Sequence, residues 1–373
     1  MRASPSASLA RPGWLHDRLR RLAWHWRSDP GRPTGSGSRA PEWYHDGCTC
    51  LPPAAAAAGA AGEEPSMPEP LVGAHMSIAG GIHRAFERAA DAGCRTLQIF
   101  LKNSTRWEAR ALMDEDRLLY RQAQERTGIA PVLAHASYLI NLASPETDLQ
   151  RRSRAALAGE LERANFLGVP CLILHPGSHM GDGAARALAR VARALDDVLA
   201  RVPPPVRILL ENTAGQGTSL GARFEELAAI LERTRQPERI GVCFDTCHAF
   251  AAGYDLSSAE AYRTTMRELD RRVGLERIGA IHVNDSREAL GSRIDRHEHI
   301  GRGRIGLEGF RALMNDRRFA HIPKIIETPK GPDLRADRMN LAVLRRLISV
   351  TGYSTPKLRR QMKRRADPNF GVE

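Results

Sequence analysis

Short apolar runs alternate with longer stretches of helical spacing through the middle of the chain. Each run is rich in Val, Ile and Leu and continuously apolar, which is typical of a parallel strand buried on both faces. The stretch after each run has the apolar spacing of a helix that covers such a sheet. Eight strand and helix pairs are predicted, at 71–77 and 81–92, 96–103 and 114–126, 131–137 and 148–167, 171–177 and 184–200, 207–212 and 220–233, 240–246 and 258–272, 278–285 and 307–315, and 324–328 and 333–349.

Eight such pairs within about 280 residues predict an α/β fold, a single (β/α)8 TIM barrel, over residues 70–355. A doubly wound open sheet is the competing architecture. Residues 1–69 are dominated by Ser, Pro, Gly, Arg and Ala without apolar periodicity, and we expect a disordered low-complexity extension there. Residues 356–373 form a short basic C-terminal tail, interpreted as solvated and able to contact DNA.

The N-terminal extension has two alternative interpretations. Its opening stretch is rich in Arg and Ser and poor in acidic residues, which is also the pattern of an organelle transit peptide. Alternatively, Met67 stands just before the first predicted strand and is a plausible true start.

Composition narrows the class of protein. The chain of 373 residues is 42% hydrophobic and 26% charged, as in globular proteins. The formal net charge of +12 favours an anionic partner such as nucleic acid. Six cysteines without a C-x-x-C pair exclude a disulfide scaffold and indicate a reducing, cytoplasmic setting. No apolar run reaches the roughly 18 residues of a membrane span, so we expect no membrane association.

Histidines and carboxylates recur where the predicted strands end. In a barrel these ends converge on one face, where active sites are built. One such histidine is more often a hydrogen-bonded rim residue than a ligand, but crowded imidazoles and carboxylates at one level need a compensating cation. The residues concerned are His135, His175, Glu211, Asp245, His248, His282 and Glu327.

The loop after the seventh predicted strand adds Asp295 and His297. They stand two positions apart, so in an extended segment both side chains point the same way. Nine candidate ligands result, five His, two Asp and two Glu. Because one four-coordinate zinc with an open position needs about three protein ligands, nine predict more than one metal. Imidazole and carboxylate favour Zn2+, with Mn2+ as a substitute, and Cys243 and Cys247 are interpreted as core side chains.

Several long strings contain or flank the candidate ligands. They are HASYLINL at 135–142, HPGSH at 175–179, ENTAGQG at 211–217, GVCFDTCHAFAAGYD at 241–255, HVND at 282–285 and GSRIDRH at 291–297. With these strings the chain resembles the endonuclease IV family, apurinic/apyrimidinic endonucleases with a trinuclear zinc centre in a TIM barrel. The similarity extends over about 71–352.

The resemblance implies three zinc ions per chain. His135 and His175 would bind the first ion with Glu211, which bridges to the second. Asp245, His282 and Glu327 would complete the second site. The third ion would lie on His248, Asp295 and His297.

The implied activity is hydrolysis of the phosphodiester 5′ to abasic sites in duplex DNA, leaving a 3′-hydroxyl, together with 3′-repair diesterase activity. Metal coordination lowers the pKa of bound water to about 7, so a bridging hydroxide is the expected nucleophile and Glu211 the expected catalytic residue that orients it. A monomer associated with the nucleoid is expected.

DNA contacts are expected from two loops. Tyr138 and Leu139 are candidates for a wedge that fills the gap left by the missing base, although Tyr138 would also suit a plain rim position. Asn103 and Arg106 lie in a string that resembles the family's DNA-contacting loop, with the arginine one place closer to Trp107 than in the family. His75 matches the family's opening motif and is interpreted as supporting a ligand.

Two other classes of protein are the alternatives. Sugar isomerases and epimerases use related barrels with metal sites, but they have no need for a third metal, so Asp295, His297 and His248 discriminate against them. A protein that only binds damaged DNA would carry a broken ligand set, whereas all nine candidate ligands are present.

Overall fold

A closed barrel of parallel strands forms the centre of the protein in the computed structural model, which describes residues 70–348. In chain order, the strands of this part are β1 (Val72–His75), β2 (Thr96–Phe100), β3 (Val132–His135), β4 (Cys171–Leu174), β5 (Arg207–Glu211), β6 (Ile240–Asp245), β7 (Ile278–His282), β8 (Asp285–Ser286), β9 (His297–Glu298) and β10 (Lys324–Ile326). The barrel order is β1-β10-β7-β6-β5-β4-β3-β2, and β8 pairs with β9 in a separate antiparallel ribbon.

Helices follow the strands and cover the barrel. They are α1 (Arg84–Ala92), α2 (Asp114–Thr127), α3 (Thr147–Leu167), α4 (Ala184–Leu199), α5 (Phe224–Leu231), α6 (Thr246–Ala252), α7 (Ala259–Arg272), α8 (Gly306–Met314) and α9 (Arg335–Arg346). Parallel pairing of β1 with β10, with Val72 opposite Lys324 and Ala74 opposite Ile326, closes the sheet. The predicted TIM barrel is therefore confirmed and the doubly wound sheet is excluded.

The barrel interior is filled by side chains of alternating size. Leu209 on β5 packs against glycines of β6 and β7, since a Cβ at Gly241 or Gly279 would lie 2.8 or 2.7 Å from its Cδ2 atom. This layering of large and small residues makes the barrel a packed core rather than a pore. The buried side chains of this inner cluster are Leu133, Cys171, Ile173, Leu209, Cys243, Ala280 and Ile325.

The structure differs from the sequence prediction around the sixth and seventh strands. Helix α6 was not predicted, because its apolar residues run on from those of β6 without a polar break. Asp245 begins α6 as its N-cap, and its carboxylate accepts the His248 N–H at 2.7 Å. Strand β7 ends at His282, three residues earlier than predicted, and β2 and β4 likewise end three residues early, at Phe100 and Leu174.

The carboxylate of Asp285 accepts N–H groups of Gly301, Gly303 and Ile305, so it organises the following loop. The predicted N-terminal extension, the basic tail and the barrel residues beyond 348 lie outside the described residues. Between residues 70 and 348, no helix is long and apolar enough to cross a membrane.

Candidate metal centre

The nine predicted ligands converge on the carboxyl end of the barrel. Six of them end a strand or follow it directly: His135, His175, Glu211, Asp245, His282 and Glu327. His248 comes from the first turn of α6, where the N-cap bond to Asp245 fixes the helix start. Asp295 and His297 come from the loop between β7 and α8. The fold thus brings residues that are far apart in the chain to one site.

The ligand atoms of these residues fall into three groups. Within each group they lie within 4.8 Å of one another, a spacing that suits coordination of one ion. The groups are His135, His175 and Glu211; Glu211, Asp245, His282 and Glu327; and His248, Asp295 and His297. They match the three sites that the resemblance implies, and Glu211 belongs to two of them.

Glu211 is fully buried at the centre of the cluster and divides its two oxygens between neighbours. Its Oε2 atom lies 3.1 Å from Nε2 of His135 and 3.0 Å from Nε2 of His175. Its Oε1 atom lies 2.9 Å from Nδ1 of His282 and 3.2 Å from Nδ1 of His248. One carboxylate therefore reaches the first two groups at once, as a bridging ligand must.

Neighbouring acceptors orient the imidazoles. A ligand histidine needs its outer nitrogen held by an acceptor, which leaves a lone pair on the inner nitrogen. The outer nitrogens bond to backbone or amide oxygens: His135 Nδ1 to Ala136 O at 2.8 Å, His248 Nδ1 to Asn212 O at 2.9 Å, His297 Nδ1 to Glu327 O at 3.1 Å, and His282 Nε2 to Gln98 Oε1 at 2.8 Å. The tautomers that these bonds favour suit metal binding.

The third group contains an unpaired buried nitrogen. Nε2 of His297 has no hydrogen-bond partner among the described residues. It lies 3.4 Å from Oδ1 of Asp295, while Oδ2 of Asp295 lies 3.2 Å from Nε2 of His248. A buried unpaired nitrogen is costly unless something fills the gap, and a cation between these groups would satisfy it. The donor set of imidazole and carboxylate fits Zn2+.

Charges in the cluster depend strongly on one another. Burial opposes protonation of His248, but Asp245, Asp295 and Glu211 outweigh it and hold the pKa of His248 well above its ordinary value. Burial likewise opposes ionisation of Glu211, yet the neighbouring imidazoles hold its pKa well below the ordinary value. Because imidazoles bind a metal only when the ligating nitrogen carries no proton, metal binding at this cluster would be coupled to proton release.

Two amides that the sequence reasoning missed hold the carboxylates of the second group. Gln98 on β2 donates from Nε2 to Oε1 of Glu327 at 2.7 Å, in addition to its bond with His282. Asn284 donates to Oδ2 of Asp245 at 2.7 Å and accepts the Glu327 N–H at 2.7 Å. A buried polar residue inside an apolar strand was the available signal for Gln98. His75 also supports Glu327, as expected, with Nδ1 at 3.1 Å from Oε1.

Replacing Gln98 with leucine should weaken metal binding, because His282 and Glu327 lose the amide that orients them. Loss of such a partner typically costs about 10- to 100-fold in metal affinity. Competition with a fluorescent chelator measures this. Gln124→Leu on α2 is the matched control, since Gln124 bonds only weakly to Ile129 O at 3.5 Å. Equal affinity in the two variants would show that Gln98 does not orient the ligands.

Cys247 is close enough to Asp245 and His297 to form a further group with them. Its thiol donates to Arg296 O at 3.6 Å, and burial raises the pKa of this thiol to about 12. Cys243 is equally buried on β6. Both behave as the core side chains that the sequence indicated.

The predicted DNA-contacting residues lie on two rim loops. Tyr138 is 64% exposed and packs edge-on against Phe100 at 5.3 Å, and Leu139 beside it is half-buried. Asn103 and Arg106 are exposed in the loop after β2. The Asn103 side-chain oxygen caps the turn by accepting from Thr105 N at 2.9 Å.

Fold and strand-end cluster together define a TIM barrel of the xylose isomerase-like class, and a family model of that description matches residues 86–347. The chain is 53% identical over 283 residues to the probable endonuclease 4 of Chloroflexus aggregans, a match of 76% of this chain and 99% of that protein. The chain belongs to the endonuclease IV family. This membership confirms the predicted family and the predicted class of enzyme, a DNA-cleaving hydrolase.

A solved structure of the same family agrees with this assignment. Endonuclease IV from Thermus thermophilus matches with a TM-score of 0.66 and 42% identity, over 74% of this chain and 98% of that one. A D-tagatose 3-epimerase-like protein matches with a TM-score of 0.57 and 18% identity, over 74% of this chain and 96% of that one, which shows a shared fold alone.

Proposed function

We propose that this endonuclease hydrolyses the phosphodiester 5′ to abasic sites in duplex DNA and leaves a 3′-hydroxyl, using three Zn2+ ions. The same site would remove 3′ blocking groups as a repair diesterase. The observation that carries the proposal is the set of nine ligands in three groups, with Glu211 shared between two, next to an exposed Tyr138 on the rim. Family membership and the formal charge of +12 support a DNA substrate.

The bound ions would supply an activated water at neutral pH and positive charge for the developing phosphate oxygens. Glu211 holds the first two groups at a fixed separation through its two oxygens. Asp295 is 44% exposed, so the third group lies closest to solvent and is suited to the leaving oxygen. The buried second group, with Asp245 and His282 fully enclosed, fixes the geometry of the site.

Tyr138 and Leu139 are proposed to enter the duplex at the gap left by the missing base. An aromatic ring there replaces lost stacking while the damaged nucleotide is turned out. We also propose that the enzyme acts as a monomer in the cytoplasm, at the nucleoid. The cysteines within residues 70–348 are buried, which is compatible with a reducing compartment.

The test of the function uses duplex oligonucleotides with one natural abasic site, one borohydride-reduced abasic site, or none. Hydrolysis needs no aldehyde, so we expect both abasic duplexes to be cut 5′ to the lesion and to yield a 3′-hydroxyl. A β-elimination product, failure on the reduced site, or equal cutting of the intact duplex would contradict the proposal. Mass spectrometry of the termini distinguishes these products.

Replacing Tyr138 with alanine should reduce selectivity for abasic over intact duplex by about 10-fold, the loss expected when one stacked base contact is removed. Metal content and melting temperature should stay nearly unchanged, since the ring is largely exposed. Fluorescence anisotropy with the two duplexes measures the selectivity. Tyr254→Phe is the control, because that tyrosine stacks on Phe224 and is not one of the predicted DNA-contacting residues. Unaltered selectivity would make Tyr138 a rim residue only.

A further inference from the structure

The two rim loops with the predicted DNA-contacting residues are both fastened to helix α3. The first loop, 101–113, lies between β2 and α2, and the second, 136–146, lies between β3 and α3. Lys102 in the first loop and Glu160 on α3 form an ion pair between them, with Nζ 3.4 Å from Oε1. The two side chains are only 5% and 1% exposed. We call these two residues the clamp pair.

Each member of the clamp pair holds the backbone of one loop. The Lys102 ammonium donates to the carbonyl oxygen of Arg106 at 2.5 Å. Both Glu160 oxygens accept the N–H of Ser137, at 3.3 and 3.2 Å, directly before Tyr138. The clamp pair therefore connects the backbone of Arg106 to the backbone of Ser137, the residue before the Tyr138 wedge.

Further contacts join the loops to each other and to the helix. The Ser137 hydroxyl donates to Ser104 O at 2.6 Å and accepts the Leu139 N–H at 3.3 Å. Arg163 on α3 donates to Leu101 O at 2.7 Å and to Arg110 O at 2.7 Å, so it fixes both ends of the first loop. The clamp pair is the element of this network that contacts both loops through buried charge.

Energetics argue against a purely stabilising role for the clamp pair. Desolvation of two buried charges offsets most of their attraction, and an apolar pair of similar size is often as stable. Burial raises the pKa of Glu160, although Lys102 and the Ser137 N–H oppose this. A costly buried pair whose donors and acceptors end on two functional loops is better explained by the geometry that it imposes.

We propose that Lys102 and Glu160 are positioning residues that keep the Tyr138 wedge in register with the Arg106 loop. The proposal rests on the proposed function, since it concerns recognition of the abasic site. Neither residue touches the substrate or the metal ligands in this role. It predicts that the clamp pair sets lesion selectivity rather than metal content.

The experiment compares Glu160→Gln, Lys102→Met and the double variant with the wild type. Asp197→Asn on α4 is the control, because it removes the ion pair of Asp197 with Arg154 of α3 at 2.5 Å, in which neither loop takes part. We expect the clamp variants to lose about 10-fold or more in kcat/KM on abasic duplex, the cost of a misplaced recognition group. Zinc per chain and binding of intact duplex should equal those of the control.

Amide hydrogen exchange provides a readout independent of activity. We expect faster exchange at 103–107 and at 137–140 together in each clamp variant, and in neither loop of the control. If Glu160→Gln does not fold, the double variant, which leaves no unpaired charge, decides the question. A preference for abasic over intact duplex that stays within about twofold of the control's preference would overturn the proposal. Exchange that rises in one loop alone would also overturn it.

The outcomes separate this inference from the proposed function. If the wild-type enzyme shows no preference for abasic duplex, the proposed function is contradicted. The hydrogen exchange of the two loops in the clamp variants would still test the positioning. A selective wild-type enzyme whose clamp variants behave like Asp197→Asn contradicts the positioning alone.

Discussion

Replacing Glu211 with glutamine is expected to reduce incision of abasic duplex by about 10,000-fold or more, comparable to the loss of a central catalytic group. The amide has nearly the same shape, so the buried position can still be filled. It carries no charge, however, and only one of its two polar atoms can accept a metal or a hydrogen bond. Four imidazoles that now face the two carboxylate oxygens would lose their common partner.

Glu226→Gln is the control for this variant. Glu226 lies in the first turn of α5, where its carboxylate accepts the Gly221 N–H at 2.8 Å without reaching the metal-binding groups. It should retain most activity and its full zinc content. Glu211→Gln should lose zinc from both groups that share the carboxylate. Near-normal activity in Glu211→Gln would show that no bridging carboxylate is needed.

Changing Asp295 and His297 together to alanine is expected to lower the zinc content from about three ions per chain to about two, while the barrel stays folded. These residues belong to a loop outside the barrel strands and share their group only with His248. Activity should fall by orders of magnitude, because an ion that stabilises transition-state charge contributes several kcal/mol. Elemental analysis, circular dichroism and incision kinetics measure the three effects.

Glu288→Ala in the same loop provides the comparison, because this carboxylate belongs to none of the three groups. It should keep both the zinc content and the activity of the wild type. A two-metal enzyme of the isomerase type would keep its zinc in the double variant, since the loop would then be peripheral. An unchanged zinc content would therefore refute the third site.

The fold was predictable because a parallel strand that is covered on both faces appears in the sequence as a continuous apolar run. Each apolar run was long enough to identify one strand, and eight of them with intervening helices suit a closed barrel. Helix α6 was missed because its residues continue the apolar run of β6, and only the Asp245 N-cap separates the two elements. The end of β7 was misjudged because Asp285 pairs with a distant part of the same loop.

The candidate ligands could also be predicted from the sequence, since polar residues at strand ends meet on one face of the barrel whatever their spacing in the chain. Their supporting contacts were not. Gln98 reaches Glu327 across 229 positions, and the ion-pair partner of Lys102, Glu160, comes from helix α3. In sequence, Glu160 is an ordinary acidic residue of a helix, and only the packing of α3 against two loops reveals its contacts.

The most direct test of the three-metal centre is elemental analysis of the purified full-length chain. The zinc content is divided by the number of active sites, which titration with abasic duplex measures. We expect about three zinc ions per chain that survive gel filtration and brief exposure to EDTA, because each group offers several buried ligands. Fully active protein with one or two ions per chain would contradict the trinuclear site.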